Sequence, residues 1–121
     1  MGRSLLIVAE NAEQLEMLAR RFTRAGYQVV GLQHPRQALQ AASFQQFQVA
    51  LLDADLPEMD GIELMRRLQR SHRALQVVIL FGDDHSEQHT GADGAIACLN
   101  MPCEMAVLKA TIEDAFARAV H

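Results

Sequence analysis

Short apolar runs alternate along the chain with longer segments whose apolar residues recur every three or four positions. Leu5-Leu6-Ile7-Val8-Ala9 is apolar throughout, the pattern of a strand buried on both faces. Asn11, with Gln14 three residues on, reads as a helix N-cap, and Leu15, Leu18, Ala19 and Phe22 follow at helical spacing. Gly26 is placed to end that helix at its C′ position. Residues 28–32 form a second strand. His34-Pro35 opens a second helix with Pro35 in its first turn and Ala38, Leu39 and Ala42 on one face. Residues 48–53 read as a third strand, more apolar than the second and therefore central. Residues 56–61 are a loop with Asp60 as an N-cap candidate, and Ile62, Met65 and Leu68 begin the inward face of a third helix. Residues 76–81 are a fourth strand and 98–100 a short fifth, just before Pro102. Residues 104–120 form a last helix with Met105, Leu108, Ile112 and Phe116 inward. The stretch 82–94 is polar, glycine-punctuated and without an apolar stripe, so the fourth helix of the series is expected to be shortened or disordered.

Alternating strands and helices imply an α/β domain with helices on both faces of a parallel sheet. Five strands in this length predict one flavodoxin-like three-layer sandwich spanning 1–121, in strand order 2-1-3-4-5. In that order the carboxyl ends of strands one and three meet at the switch point, where such folds place their sites. Glu10 follows strand one and Asp53 ends strand three, so topology joins two acidic groups that are distant in sequence. Glu10 also suits the positive end of the first helix.

Composition narrows the function. The 121 residues carry a formal net charge of −4, which argues against a basic nucleic-acid module. No apolar run approaches the roughly 18 residues of a membrane span, and the first residues lack the pattern of a secretory signal, so a cytoplasmic protein is expected. Cys98 and Cys103 have neither C-x-x-C spacing nor a second pair, and read as small apolar residues. Cys103 falls at an expected helix start, where a thiol pKa drops. His85 and His89 have metal-ligand spacing only on a helix, and their surroundings favour a solvated loop. Arg66, Arg67, Arg70 and Arg73 form the one basic concentration, read as a solvated helix face.

The stretch Leu51-Leu52-Asp53-Ala54-Asp55-Leu56-Pro57-Glu58-Met59-Asp60-Gly61 resembles the third-strand motif L-D-x-x-M-P-x-M-D-G of response-regulator receiver domains, the CheY-like family. The likeness runs from Leu5 to about Val120 with matching element order. It implies that Asp53 accepts a phosphoryl group from a histidine kinase, and that Mg²⁺ is held weakly by Glu10, Asp53 and the backbone carbonyl of Asp55. A carboxylate can attack phosphorus to give an acyl phosphate, and crowded anions need a hard dication to admit the phosphoryl group. Four family positions depart from the pattern. Ala9 stands for the first acid after strand one, and Phe81 for the hydroxyl residue ending strand four. Aligning Gly94-Ala95-Ile96-Ala97-Cys98-Leu99-Asn100-Met101-Pro102-Cys103 with G-A-D-G-Y-L-T-K-P-F puts Cys98 at the aromatic switch and Met101 at the lysine. Lys109 is the only lysine in the chain and lies inside the last helix. Phe81 is expected to join the core and cover the acceptor, and Met101 to pack rather than pair; whether Asp83 or Asp84 replaces the missing carboxylate is left open by the sequence.

The expectation is a receiver domain in phosphorelay signalling, without catalytic residues of its own. Its partners would be a histidine kinase or other signalling protein and a second copy in a homodimer, with no membrane and no direct nucleic-acid contact. The alternative is a phosphorylation-independent pseudo-receiver acting as a protein-interaction module. A flavin-binding relative of the same fold is disfavoured: Glu10-Asn11-Ala12 is acidic and has no phosphate-cradling glycines.

Overall fold

A computed structural model describes residues 2–82 and 93–119. Strands β1 (Ser4–Val8), β2 (Gln28–Leu32), β3 (Val49–Asp53), β4 (Gln76–Phe81) and β5 (Ala97–Asn100) alternate with helices α1 (Ala12–Arg24), α2 (Pro35–Phe44) and α3 (Gly61–Ser71), and α4 (Met105–Ala119) closes the series. All strand pairs are parallel and the order is β2-β1-β3-β4-β5, as expected, with β3 central. The segment predicted to hold a shortened helix, with Asp83, Asp84, His85 and His89, falls mostly within 83–92, outside the described residues.

The uniformly apolar strands bury two faces, and successive side chains divide between them. Leu6, Val8, Ala50, Leu52, Val77, Ile79 and Phe81 face α2 and α3. Leu5, Ile7, Val49, Leu51, Val78 and Leu80 face α1 and α4. The helices supply the matching stripes: Ala38, Ala42, Leu64, Met65 and Leu68 on the first side, and Leu18, Phe22, Leu108, Ile112, Ala115 and Phe116 on the second. Each fully buried Leu or Ile contributes about 1.5–3 kcal/mol by leaving water. Leu64 is completely buried where the sequence pattern had marked Ile62, which is only half-buried. Met65 and Leu68 face inward as expected, and Ile62 packs at the edge of the same core.

Local chemistry sets where the helices begin and end. The Asn11 side chain accepts from Gln14 N–H at 2.8 Å, and the Asp60 side chain from Glu63 N–H at 2.8 Å, so both N-cap expectations hold. Helix α1 ends in a Schellman motif. Tyr27 N–H reaches Phe22 O at 3.1 Å and Gly26 N–H reaches Thr23 O at 3.0 Å, with Gly26 at φ 102°. The accompanying apolar contact is the Phe22–Tyr27 edge-on ring pair at 5.7 Å. No helix among the described residues is long and apolar enough to cross a membrane.

Candidate functional site

At the carboxyl ends of β1, β3 and β4 lies a cavity of about 200 Å³, lined among others by Glu10, Asp53, Asp55, Phe81, Gly82 and Met101. Asp53 comes to it because β3 runs out there. The strand is wholly buried through Leu52, and Asp53 is the first residue to emerge, half-buried, opposite Leu80 in the register. Ala54 N–H extends the pairing by one bond to Leu80 O at 2.8 Å. The following loop then turns back, with Gly61 N–H donating to Ala54 O at 2.8 Å. Gly61 has to be glycine for a close-approach reason: a Cβ there would strike the backbone of Asp53 and Ala54. The start of α3 is thereby wedged against the Asp53 peptide.

The same loop stores a little strain. Met59 N–H reaches back to Pro57 O at 2.8 Å in a γ-turn that puts Glu58 at φ 73°. The exposed Glu58 carboxylate meets Arg36 Nε at 3.5 Å, a contact worth little in water. The motif residues between Asp53 and Gly61 therefore act mainly as a shaped backbone that returns the chain onto Asp53.

On the β1 side, Ala9 is buried and continues the β1–β2 pairing, its N–H on Leu32 O at 3.1 Å. Glu10 is exposed at the rim, and its backbone N–H donates to Asp53 Oδ2 at 3.3 Å. Gln33 Nε2 donates to Glu10 O at 2.9 Å and holds this turn in place. The backbone N–H of Glu10 and the Gln33 brace were not foreseen, because a main-chain donor leaves no trace in residue type. Burial raises the Asp53 carboxyl from an ordinary 3.8 to about 6. The Glu10 N–H opposes that rise, and the charges of Asp55 and Glu10 reinforce it.

This donor set fits a hard dication. Three acid residues line one small cavity, and their mutual repulsion is part of what pushes Asp53 up. Among the described residues no three His, Cys, Asp or Glu side chains converge as a closed metal centre. Protein ligands would thus be few, which Mg²⁺ accepts because it retains waters.

The opposite wall is apolar. Phe81 is 3% exposed and packs into the α2/α3 core. Asp53 nevertheless stays open to the cavity, so Phe81 lines the surroundings of Asp53 without sealing it. Met101 is half-buried against the α1/α4 core and follows on from β5, its N–H on Phe81 O at 2.6 Å. The Met101–Pro102 peptide is cis. Cys98 lies opposite Ile79 and packs toward α2 and α3. Lys109 is exposed on α4 and does not line the cavity. For Cys103 the expected lowering of the thiol pKa is reversed. It sits two residues ahead of α4, among apolar neighbours and with its Sγ 3.6 Å from Met101 Sδ, and burial raises its pKa. Cys98 is raised for the same reason. The basic residues of α3 lie on its exposed side, with Arg67 paired to Glu63 at 2.8 Å one turn back.

A parallel 2-1-3-4-5 sheet with an acid at the central strand's carboxyl end defines a class of α/β signalling domains. The response regulator receiver domain signature matches residues 5–113, and the chain belongs to that family. It is 32% identical to the transcriptional regulatory protein GltR of Pseudomonas aeruginosa, over 98% of this chain and 50% of GltR. It is 31% identical to the sensor protein EvgS of Escherichia coli, over 88% of this chain and 9% of EvgS. The chain thus spans about half the length, or less, of these curated relatives. A CheY-like receiver domain protein from Methanospirillum hungatei superposes with a TM-score of 0.88 at 22% identity, covering 98% of this chain and 97% of that one. That likeness speaks to the fold.

Proposed function

We propose that this receiver domain is a phosphoacceptor, with Asp53 taking a phosphoryl group from a phosphohistidine of a histidine kinase. The observation that carries this reading is the half-open Asp53 carboxylate at the end of the central strand, aimed by the Glu10 N–H and backed by the Gly61 turn. A carboxylate oxygen attacks phosphorus, the P–N bond breaks, its electron pair stays on the imidazole, and an acyl phosphate forms. Above pH 6 the carboxyl is mainly in the ionised, nucleophilic form. Glu10, Asp53 and the backbone carbonyl of Asp55 would hold Mg²⁺. Bound there, the ion neutralises charge between the acids and the incoming phosphoryl oxygens.

A second reading has its own support. Phe81 and Met101 line the wall where the family resemblance calls for a hydroxyl and an ammonium group. Neither side chain can donate a hydrogen bond to a phosphoryl oxygen. On this reading the domain binds signalling partners without being switched by phosphorylation.

Intact mass after incubation with acetyl phosphate and Mg²⁺ separates the two. The acceptor reading expects a gain of one phosphoryl group that is absent from Asp53→Asn and from samples treated with a chelator. A folded, unmodified wild type beside a modified control receiver would sink it for small-molecule donors. Uptake that appears only in Met101→Lys would favour the second reading.

A further inference from the structure

We propose a second anion site, at the opposite end of the sheet, that takes a phosphate group. The geometry is a cavity of about 170 Å³ between the chain entering β3 and the chain leaving α3, lined by Gln46, Phe47, Ser71, His72, Arg73 and Leu75 among others. No acidic residue lines it. The Asp53 cavity is walled by acids, and a further cavity, at the foot of α4, includes Glu113 beside Arg3. This pocket is acid-free in a chain of net charge −4.

Its donors are available. Arg73 is exposed and has no ion-pair partner among the described residues, whereas the Arg3 guanidinium is occupied by the Tyr27 hydroxyl at 3.3 Å and by the Tyr27 and Phe116 rings. Ser71 Oγ lies 2.9 Å from His72 Nδ1. Whichever way that bond runs, the pair keeps one further donor: the ring Nε2–H when the hydroxyl donates, or the hydroxyl when Nδ1–H donates. Gln46 adds an exposed amide on the facing loop. Phe47 and Leu75 are buried and form the floor.

The carbonyl end of a helix disfavours an anion, and α3 ends here. That effect is blunted, because Leu68 O already accepts from His72 N–H at 2.9 Å. A guanidinium fork then adds a full positive charge matched to phosphate oxygens. Drug-sized ligands need pockets of about 300–1,000 Å³, so this one suits a phosphate group and its waters, not a nucleotide. The shared chemistry is a phosphate group, free or carried as a monoester on a larger molecule.

The test is an amide chemical-shift titration of the whole domain with inorganic phosphate, and separately with O-phosphoserine, at constant ionic strength. Saturable shifts at residues 45–48 and 71–75 are expected, unchanged in Asp53→Asn and weakened about tenfold or more in Arg73→Gln. Tighter binding of O-phosphoserine points to a monoester, and equal binding to free phosphate. Shifts absent, confined to the Asp53 cavity, unaffected by Arg73→Gln, or matched by acetate would overturn the proposal. Arg73 is exposed, so a well-dispersed spectrum of the variant confirms that its fold is intact.

Discussion

The two walls of the Asp53 cavity are built on opposite principles. The β1–β3 wall is polar, and nearly every group on it is placed by backbone: the Glu10 N–H on Asp53, the Gly61 turn, the Asn11 and Asp60 caps. The β4–β5 wall is an outgrowth of the core. Phe81 belongs to one apolar layer and Met101 to the other, joined by the Met101 N–H on Phe81 O. The contrast teaches that, on the proposed reading, holding an acceptor and sensing it are separable structural tasks. The first needs a strand end and a tight turn. The second needs side-chain donors, which the described part of this wall lacks.

The largest expected effect tests whether Phe81 is truly core. Phe81→Ala should cost about 3–4 kcal/mol by the transfer and cavity terms, read as a lower urea midpoint at unchanged slope. A loss below about 1 kcal/mol would mean that this wall is a loose lid and would break the contrast.

Next comes the wedge. Gly61→Ala places a methyl against backbone atoms that have no rotamer to escape into, so about 2–3 kcal/mol should be lost despite the better helix former. Phosphoryl uptake at Asp53 should fall with it. Full uptake in the variant would show that the turn merely closes the loop and does not aim the acceptor.

Asp53→Asn should move stability the other way. The folded carboxyl, at about 6, lies above its ordinary 3.8, so the native state binds the proton more tightly than the unfolded chain. Its contribution is therefore fully present below 3.8 and lost as pH rises through 6. Above pH 7 the ionised group is a burden of about 1–2 kcal/mol after allowing for solvent screening. The amide variant should gain about that much at pH 7.5, visible as a few degrees in melting temperature, and the gain should vanish below pH 4. A pH-independent difference would place its origin in packing instead.

The smallest effect concerns the cap. Asp60→Ala removes the acceptor for Glu63 N–H and should cost about 1 kcal/mol. Because α3 starts at the wedge, the same variant should broaden the amide signals around Asp53 more than those around Met101.

Much of this was legible in the chain. Doubly buried strands announce themselves as unbroken apolar runs, and the order of elements leaves few parallel topologies open. The caps at Asn11 and Asp60 and the stop at Gly26 are local chemistry, set within a few residues, so sequence specified them directly. The same holds for bringing Glu10 and Asp53 together, since strand order alone does it.

What tertiary structure decided was orientation and environment. Helical periodicity marked Ile62, Met65 and Leu68, and packing on β3 and β4 buried Leu64 fully while leaving Ile62 at the edge. Position near a helix start suggested a reactive Cys103, but its apolar neighbours come from elsewhere in the fold and reverse the shift. Phe81 was foreseen as buried, yet whether it closes over Asp53 depends on which way β4 presents it. The elevated Asp53 carboxyl, the Glu10 N–H that aims it and the Gly61 wedge all arise between segments far apart in the chain. Sequence by itself determined the elements, their caps and their order, because those follow from neighbours along the chain. Only the folded molecule set the acid's environment, because desolvation and close contact are properties of neighbours in space.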